Sequence, residues 1–367
     1  MKINSLKERI QNAVLIAERI VGKKESLPVL SCILLEADTD LIIRATNLEA
    51  GVTIRVPAVV EEKGIVAVPS TILSQTIRSI ITDTLTIQLD DSNLLIESKG
   101  TKTLIKSLPH NEFPSFGVVD EKQLNNVSIQ RVGFMEALKS VLYAASSSMI
   151  RPELGSVYLS IKDNILLCVA TDSFRLAEKT IQGVDYSVVK DILIPLKHAV
   201  ELVHVLERVD ADIVRISSDD SQIIVMADNI QYVSRVVDAP FPNYKEIIPK
   251  TFTTEATVLK NDFAEMLRKA RVFAGADQQV GLHVYPSRKV FSATARSNDV
   301  GEMSDTIDAA ISGDDVDIKF HIGYLADCLS SINSDSIVLS FSGANRALVI
   351  KGVSDQSFLY LVMPLNR

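Results

Sequence analysis

Apolar runs in the sequence, such as Ile42-Ile43 or Ile223 to Ala227, are only a few residues long. A helix needs about 20 apolar residues to cross a bilayer, so a helical membrane span is excluded. Cysteine is scarce: Cys32, Cys168 and Cys328 are an odd number at wide spacing. That fits reduced packing residues and argues against a disulfide framework or a C-x-x-C metal or redox site. There is no excess of basic charge, since 38 Lys and Arg stand against 46 Asp and Glu, a net charge of −8. A protein that coats nucleic acid with its whole surface is thereby disfavoured, although the total says nothing about where the charges lie. The first residues, Met1 to Arg9, mix charges where a signal peptide needs an apolar stretch, so the cytoplasm is the expected location.

Catalytic vocabulary is missing too. No G-x-S-x-G, G-x-x-x-x-G-K-[ST], G-x-G-x-x-G or H-E-x-x-H occurs, and no nucleotide cradle, resident metal or other cofactor is expected. His198 and His204 are six residues apart, on different faces of a helix rather than at the i, i+4 spacing of a metal pair. Ser146-Ser147-Ser148 reads as a loop after a helix, with no His nearby in sequence to activate a nucleophile.

What is present is a globular composition, 47% hydrophobic and 23% charged, over 367 residues. That is enough for two or three domains with full-sized cores. The chain also repeats itself. Leu41-Ile42-Ile43-Arg44-Ala45-Thr46-Asn47 returns as Leu166-Leu167-Cys168-Val169-Ala170-Thr171-Asp172, and more faintly as Val290-Phe291-Ser292-Ala293-Thr294-Ala295-Arg296. Period-3.6 patterning predicts helices over Ser5 to Ile20, Val132 to Ala145 and Asn261 to Ala274, with second helices over Pro69 to Ile81, Pro195 to Leu206 and Ile322 to Ile332. Proline opens the first two of these second helices, as N-terminal helix chemistry favours. Hairpins are expected at Ser31 to Ala37 with Leu41 to Ala45, and at Gly155 to Ile161 with Ile165 to Ala170. Further hairpins are expected at Thr84 to Leu89 with Asn93 to Glu97, Ile213 to Ser217 with Gln222 to Ala227, and Ser336 to Phe341 with Arg346 to Lys351. Asp90-Asp91-Ser92 and Asp219-Asp220-Ser221 fall at matching turns, where Asp and Ser bond their own backbone rather than a metal. Each copy closes on an apolar strand followed by proline: Leu104 to Pro109, Tyr232 to Val237 before Pro240, and Phe358 to Pro364. The reading is α+β, three tandem copies, with boundaries that give domains 1–121, 122–246 and 247–367.

Five strings in this order and spacing carry a family resemblance: Ser26-Leu27-Pro28-Val29-Leu30, Ala45-Thr46-Asn47-Leu48-Glu49, Ala170 to Ala177, Phe241-Pro242-Asn243-Tyr244 and Val362-Met363-Pro364-Leu365. Over its whole length the chain resembles the bacterial DNA polymerase III beta subunit, the sliding clamp family. The resemblance implies three tandem copies of the DNA clamp fold, two chains closing head to tail as a homodimeric ring with sheets outside and helices lining the hole. It implies no catalysis and no cofactor, loading by a separate ATP-dependent clamp loader, and service as processivity factor to the DNA polymerase III alpha subunit and to other polymerases and repair proteins through clamp-binding peptides. At the dimer contact, the matching positions are Leu104 and Ile105 against Val272 and Phe273.

A sliding ring must hold duplex DNA through phosphates, independently of sequence. The helical windows with their flanks, 5–24, 69–81, 131–144, 195–208, 261–274 and 322–332, carry thirteen Lys or Arg against eight Asp or Glu, a basic set inside an acidic total. The resemblance places DNA contacts at Lys24, Arg78, Lys197 and Arg151. Near Arg151 the polar and aromatic residues common in the family are replaced by Met149, Ile150 and Pro152. The partner groove matches Leu154, Thr171, Arg175, Leu176, Pro242, Ile247, Val362, Met363 and Pro364, residue types suited to leucine and phenylalanine anchors. Three departures adjoin it: Ser173-Phe174 for a common Gly-His, Glu246 for a second basic residue after Tyr244, and the ending Leu365-Asn366-Arg367. They make the rim more acidic and the floor more aromatic, so peptide preference is expected to shift. The competing readings are a ring-shaped protein scaffold that does not act on DNA, and a hydrolase using scattered Asp, Ser and His residues in a domain cleft.

Overall fold

The computed structural model describes residues 1–22, 27–114, 127–184, 191–343 and 345–365. Helices are α1 (Lys7–Ile20), α2 (Ser70–Ser79), α3 (Arg131–Leu142), α4 (Leu196–Leu206), α5 (Lys260–Arg271) and α6 (Ile322–Asp327). In α1 the buried residues Ile10, Ala13, Val14, Ala17 and Ile20 fall at helical spacing and turn one face inward. α6 gives way to a 3-10 turn at Cys328–Ser331, so the second helix of the third copy is shorter than its sequence pattern suggests.

Ser5 and Leu6 are not helical. They end the strand Lys2–Leu6, whose register with Thr84–Asp90 runs from Lys2 opposite Gln88 to Leu6 opposite Thr84, and the ladder wins over the helical periodicity. Pro69 and Pro195 likewise close strands and stand just before α2 and α4 rather than inside them. The sequence-predicted hairpins pair as antiparallel ladders. At the turn after Ser218, Asp219 Oδ1 accepts the backbone N–H groups of Ser221 and Gln222 at 2.7 and 2.9 Å, so this acid serves its own turn. The closing strands end earlier than the apolar runs imply, at Thr101–Ile105, Ile230–Arg235 and Phe358–Val362, and the first two also begin earlier.

The chain forms two compact units, residues 1–135 with 184–238 and residues 136–183 with 239–367. Within the first, a five-stranded sheet ends at Thr101–Ile105, which is an edge. An eight-stranded sheet runs from Val127–Gln130 to Gly64–Pro69, and at its middle Ile230–Arg235 of the second copy pairs with Ala50–Val56 of the first, Ile230 opposite Ile54 and Ser234 opposite Ala50. Within the second unit the same join recurs one copy later: Arg175–Gln182 pairs with Phe358–Val362, Arg175 opposite Val362 and Lys179 opposite Phe358. The third copy's remaining sheet has four strands and ends at the edge Gly301–Ile307. Phe134, Phe263, Phe291, Phe320, Phe341 and Phe358 are fully buried beneath these sheets.

Candidate functional site

In the second unit, the turn after Ile165–Thr171 is built by its own side chains. Thr171 Oγ1 donates to the Arg175 carbonyl at 2.7 Å and accepts from Ser173 N at 3.2 Å, while Asp172 Oδ1 accepts from the N–H groups of Phe174 and Arg175, both at 2.9 Å. The first copy repeats these bonds at Thr46, Asn47 and Ala50, so the likeness of the two strings is one of hydrogen-bond chemistry. Ser173 has φ +78°, in the left-handed region that favours glycine.

Strand pairing and hydrophobic packing bring three of the sequence-selected segments together here. Met363 N donates to the Phe174 carbonyl at 2.8 Å, and Arg175 and Leu176 pair with Val362 and Leu361. The 241–248 segment is fastened by Tyr244, which packs with Leu176, Val169 and Leu361 and donates its hydroxyl to Glu178 at 2.6 Å. Phe241 stacks on Tyr158 with ring centroids 4.7 Å apart. Pro242 is half-buried, Ile247 and Met363 are exposed, and Pro364 is half-buried, so these four offer surface. Leu176 and Val362 do not: both are wholly buried and form the floor's core, and Thr171 and Leu154 are buried as well. Leu154 is tied by its backbone to Ser146 and Arg151.

Arg175 is the most heavily bonded residue of this site. Its guanidinium donates to Asp172 Oδ2 at 3.0 Å and to Asp327 Oδ2 at 2.5 Å, and lies 4.3 Å from the ring centroid of Tyr324. Tyr143 contacts it from further off, at 5.8 Å. Burial and then the charge of Arg175 hold the imidazole of His321 below its usual pKa range, so it is neutral at pH 7. Asp327, Tyr324 and Tyr143 were not singled out by sequence. Their only signal is that Asp327 is the sole acid in the window 322–332. Of the departures, Phe174 is 62% exposed, and Met149 and Ile150, just before Arg151, are exposed, Ile150 to 91%. Glu246 is exposed and accepts from Asn243 Nδ2 at 2.6 Å.

The basic candidates are each tied to a carboxylate. Arg78 Nη2 lies 3.1 Å from Glu18, Lys197 Nζ 3.8 Å from Glu201, and Arg151 Nε 2.8 Å from Glu153. Lys24 and Arg367 lie outside the described residues. Among the dimer candidates Leu104 is 47% exposed on its edge strand and Val272 is exposed, but Ile105 is spent on its own core. Phe273 is half-buried, with Cε1 3.9 Å from where a side chain on Gly301 would begin, which places it beside the edge Gly301–Ile307.

Elsewhere in the second unit, His283 joins Asp317 through Nδ1 at 2.5 Å and Thr294 Oγ1 through Nε2 at 2.8 Å. This has the order of a nucleophile, base and orienting acid. Thr294 and His283 lie on strands that are paired on both sides, so the N–H groups beside them serve the ladders rather than an oxyanion, while Asp317 lies on the edge strand Val316–His321. His198 and His204 do not converge: His198 meets Ser234 Oγ at 2.9 Å and His204 meets Glu207 at 3.2 Å. Among the described residues no group of three His, Cys, Asp or Glu could hold a metal ion, and no helix is long and apolar enough to cross a membrane.

Comparison with known proteins gives a consistent answer. Family models match in succession: the N-terminal domain of the DNA polymerase III beta subunit at residues 1–117, its central domain at 128–243 and its C-terminal domain at 245–366. A beta sliding clamp of Vibrio cholerae is 26% identical over 354 residues, covering 94% of each chain. The DNA polymerase III beta subunit of Thermotoga maritima superposes with a TM-score of 0.94 at 26% identity, over 100% of this chain and 99% of that one. The DNA polymerase sliding clamp of Bacillus subtilis shares the fold, with a TM-score of 0.93 at 23% identity and the same coverage. With its three copies, their strand joins and three successive domain matches all in agreement, the chain belongs to the DNA polymerase III beta subunit family.

Proposed function

We propose that the protein is a DNA sliding clamp, a ring that encircles duplex DNA, is loaded by an ATP-dependent clamp loader, and tethers the DNA polymerase III alpha subunit and other polymerases and repair proteins without catalysis of its own. The observation that carries this reading is the pair of strand edges left over by the tandem pattern. First joins second through Ala50–Val56 and Ile230–Arg235, and second joins third through Arg175–Gln182 and Phe358–Val362. By the same rule Gly301–Ile307 of one copy and Thr101–Ile105 of another are complementary partners, and open edges of this kind invite pairing. Two chains joined head to tail in this way pair both of these edges and close a six-domain ring. Leu104 supplies exposed apolar surface at that seam, with Val272 and Phe273 next to its partner strand. Boundaries of 1–121, 122–246 and 247–367 follow the copies. A cytoplasmic location accords with replication.

Within the ring, Arg78, Lys197, Arg151 and Lys24 are the proposed phosphate contacts, and the surface around Arg175, Ile247 and Met363 is the groove for partner peptides. Sedimentation with nicked circular DNA and a matched loader tests the reading. A dimer that stays on the circle through moderate salt and runs off once the circle is cut is topologically linked. Because Arg78, Arg151 and Lys197 each share their charge with a carboxylate, a protein scaffold of the same architecture is the second reading. No retention with an active loader would favour it, and equal loss from circle and line would mean electrostatic binding alone.

A further inference from the structure

This inference rests on the peptide-groove reading and concerns the chemistry of its occupant. The central cation of the site, Arg175, is already bonded to two carboxylates, Asp172 and Asp327, so the three together carry one net negative charge. Asp327 is 43% exposed on its side chain, and its Oδ2 is the oxygen engaged with Arg175, which leaves the other to face an arriving group. Phe174, adjacent to Arg175 in the chain, presents an exposed ring of the kind on which ammonium and guanidinium groups rest. Glu246 adds a second exposed carboxylate directly before Ile247. His321, which bonds Tyr324 N through Nδ1, brings no positive charge at neutral pH. Exposed cations on or beside these segments include Lys245, Lys250 and Lys319, with Arg271 close enough for its charge to act on His321, and Glu178 is occupied by the Tyr244 hydroxyl.

We infer that the groove selects peptides carrying a Lys or Arg beside their apolar anchors, the cation meeting the Asp327 carboxylate and the exposed face of Phe174. A neutral neighbour loses that contact, and an acidic one meets uncompensated negative charge.

The test uses the full-length protein and three fluorescent peptides that share leucine and phenylalanine anchors and differ only in Lys, Ala or Glu beside them. Binding is read by anisotropy at low and at moderate salt. The expected order is Lys, then Ala, then Glu, with steps of about threefold, the size of a partly exposed ion pair, shrinking as salt is raised. Asp327→Asn should erase the Lys preference, so that the Lys and Ala peptides bind this variant with equal affinity. Glu246→Lys, which leaves the Arg175 bonds intact, should narrow it independently. Equal affinity for all three peptides, or a preference for Glu, overturns the inference and leaves the groove standing. Binding of none of them overturns the groove reading itself.

Discussion

Asp327 Oδ2 lies 2.5 Å from Nη1 of Arg175, although 152 residues of chain separate them. The first join in the chain has the same frame without this pair. There the Tyr232 hydroxyl donates to the His198 carbonyl at 3.0 Å, as Tyr360 donates to that of Tyr324 at 2.8 Å. Ala50 stands opposite Ser234, where Arg175 stands opposite Val362. Glu201, the counterpart of Asp327 at the same distance after His198, faces no arginine, and its Oε2 is buried with no hydrogen-bond partner. Two joins of one architecture therefore differ at their centres by one guanidinium.

Removing Asp327 tests what that long-range bond contributes. Asp327→Ala is expected to lower stability by about 1 kcal/mol, the low end for a charged hydrogen bond because the aspartate is partly exposed. Urea unfolding reads it directly, with Glu246→Gln as a control that should change nothing. An unchanged midpoint for Asp327→Ala would show that Asp172 alone holds the guanidinium.

Ser173 supplies a second test. Its φ of +78° costs a residue with a Cβ about 1–2 kcal/mol, and glycine meets no such penalty. Glycine also enlarges the unfolded ensemble, which offsets part of the gain. Ser173→Gly should therefore raise stability by up to about 1 kcal/mol. Leu48, with φ +72° at the matching turn, should respond in the same direction.

Glu201 makes stability depend on pH. Burial, opposed in part by Lys197, pushes its carboxyl up from an ordinary 4.5 to about 7. The fold thus prefers the protonated form. That contribution is present in full below about pH 4.5, is lost as pH rises towards 7, and stays lost above it. At 1.36 kcal/mol per pKa unit the loss is about 3 kcal/mol. Buried His198 pulls the other way in acid, because burial lowers its pKa. Comparison with Glu201→Gln isolates the glutamate: urea midpoints at pH 5 and pH 8 should diverge between the two proteins, and parallel curves would rule the effect out.

The Thr294, His283 and Asp317 chain should not hydrolyse esters. With p-nitrophenyl acetate the protein is expected to release nitrophenolate no faster than His283→Ala does. A burst that this substitution abolished, with acetyl found on Thr294, would revive the hydrolase reading.

Much of the architecture was legible because repetition is a one-dimensional signal. Apolar period 3.6 found the helices, and short polar turns between apolar runs found the hairpins, since both record which side of a local element meets the core. Local pattern misled where a ladder decided instead. Ser5 and Leu6 were drawn into a strand by Thr84–Asp90, and Ile105 into the core of its own sheet. Residue type alone could not tell the buried Leu176 and Val362 from the exposed Ile247 and Met363, because all four are apolar and burial depends on strands distant in sequence.

By itself the sequence determined three α+β copies, their order, the absence of a conventional catalytic motif and the family to which the strings belong, all properties of spacing along one chain. Only the tertiary structure decided that Arg175 is shared between Asp172 and Asp327, that one carboxylate oxygen of Glu201 is buried with no hydrogen-bond partner, and that Thr101–Ile105 and Gly301–Ile307 lie at sheet edges. Those depend on register between segments more than a hundred residues apart. A one-residue slip in such a ladder exchanges the buried and exposed faces, and the identity of neither strand alone specifies it.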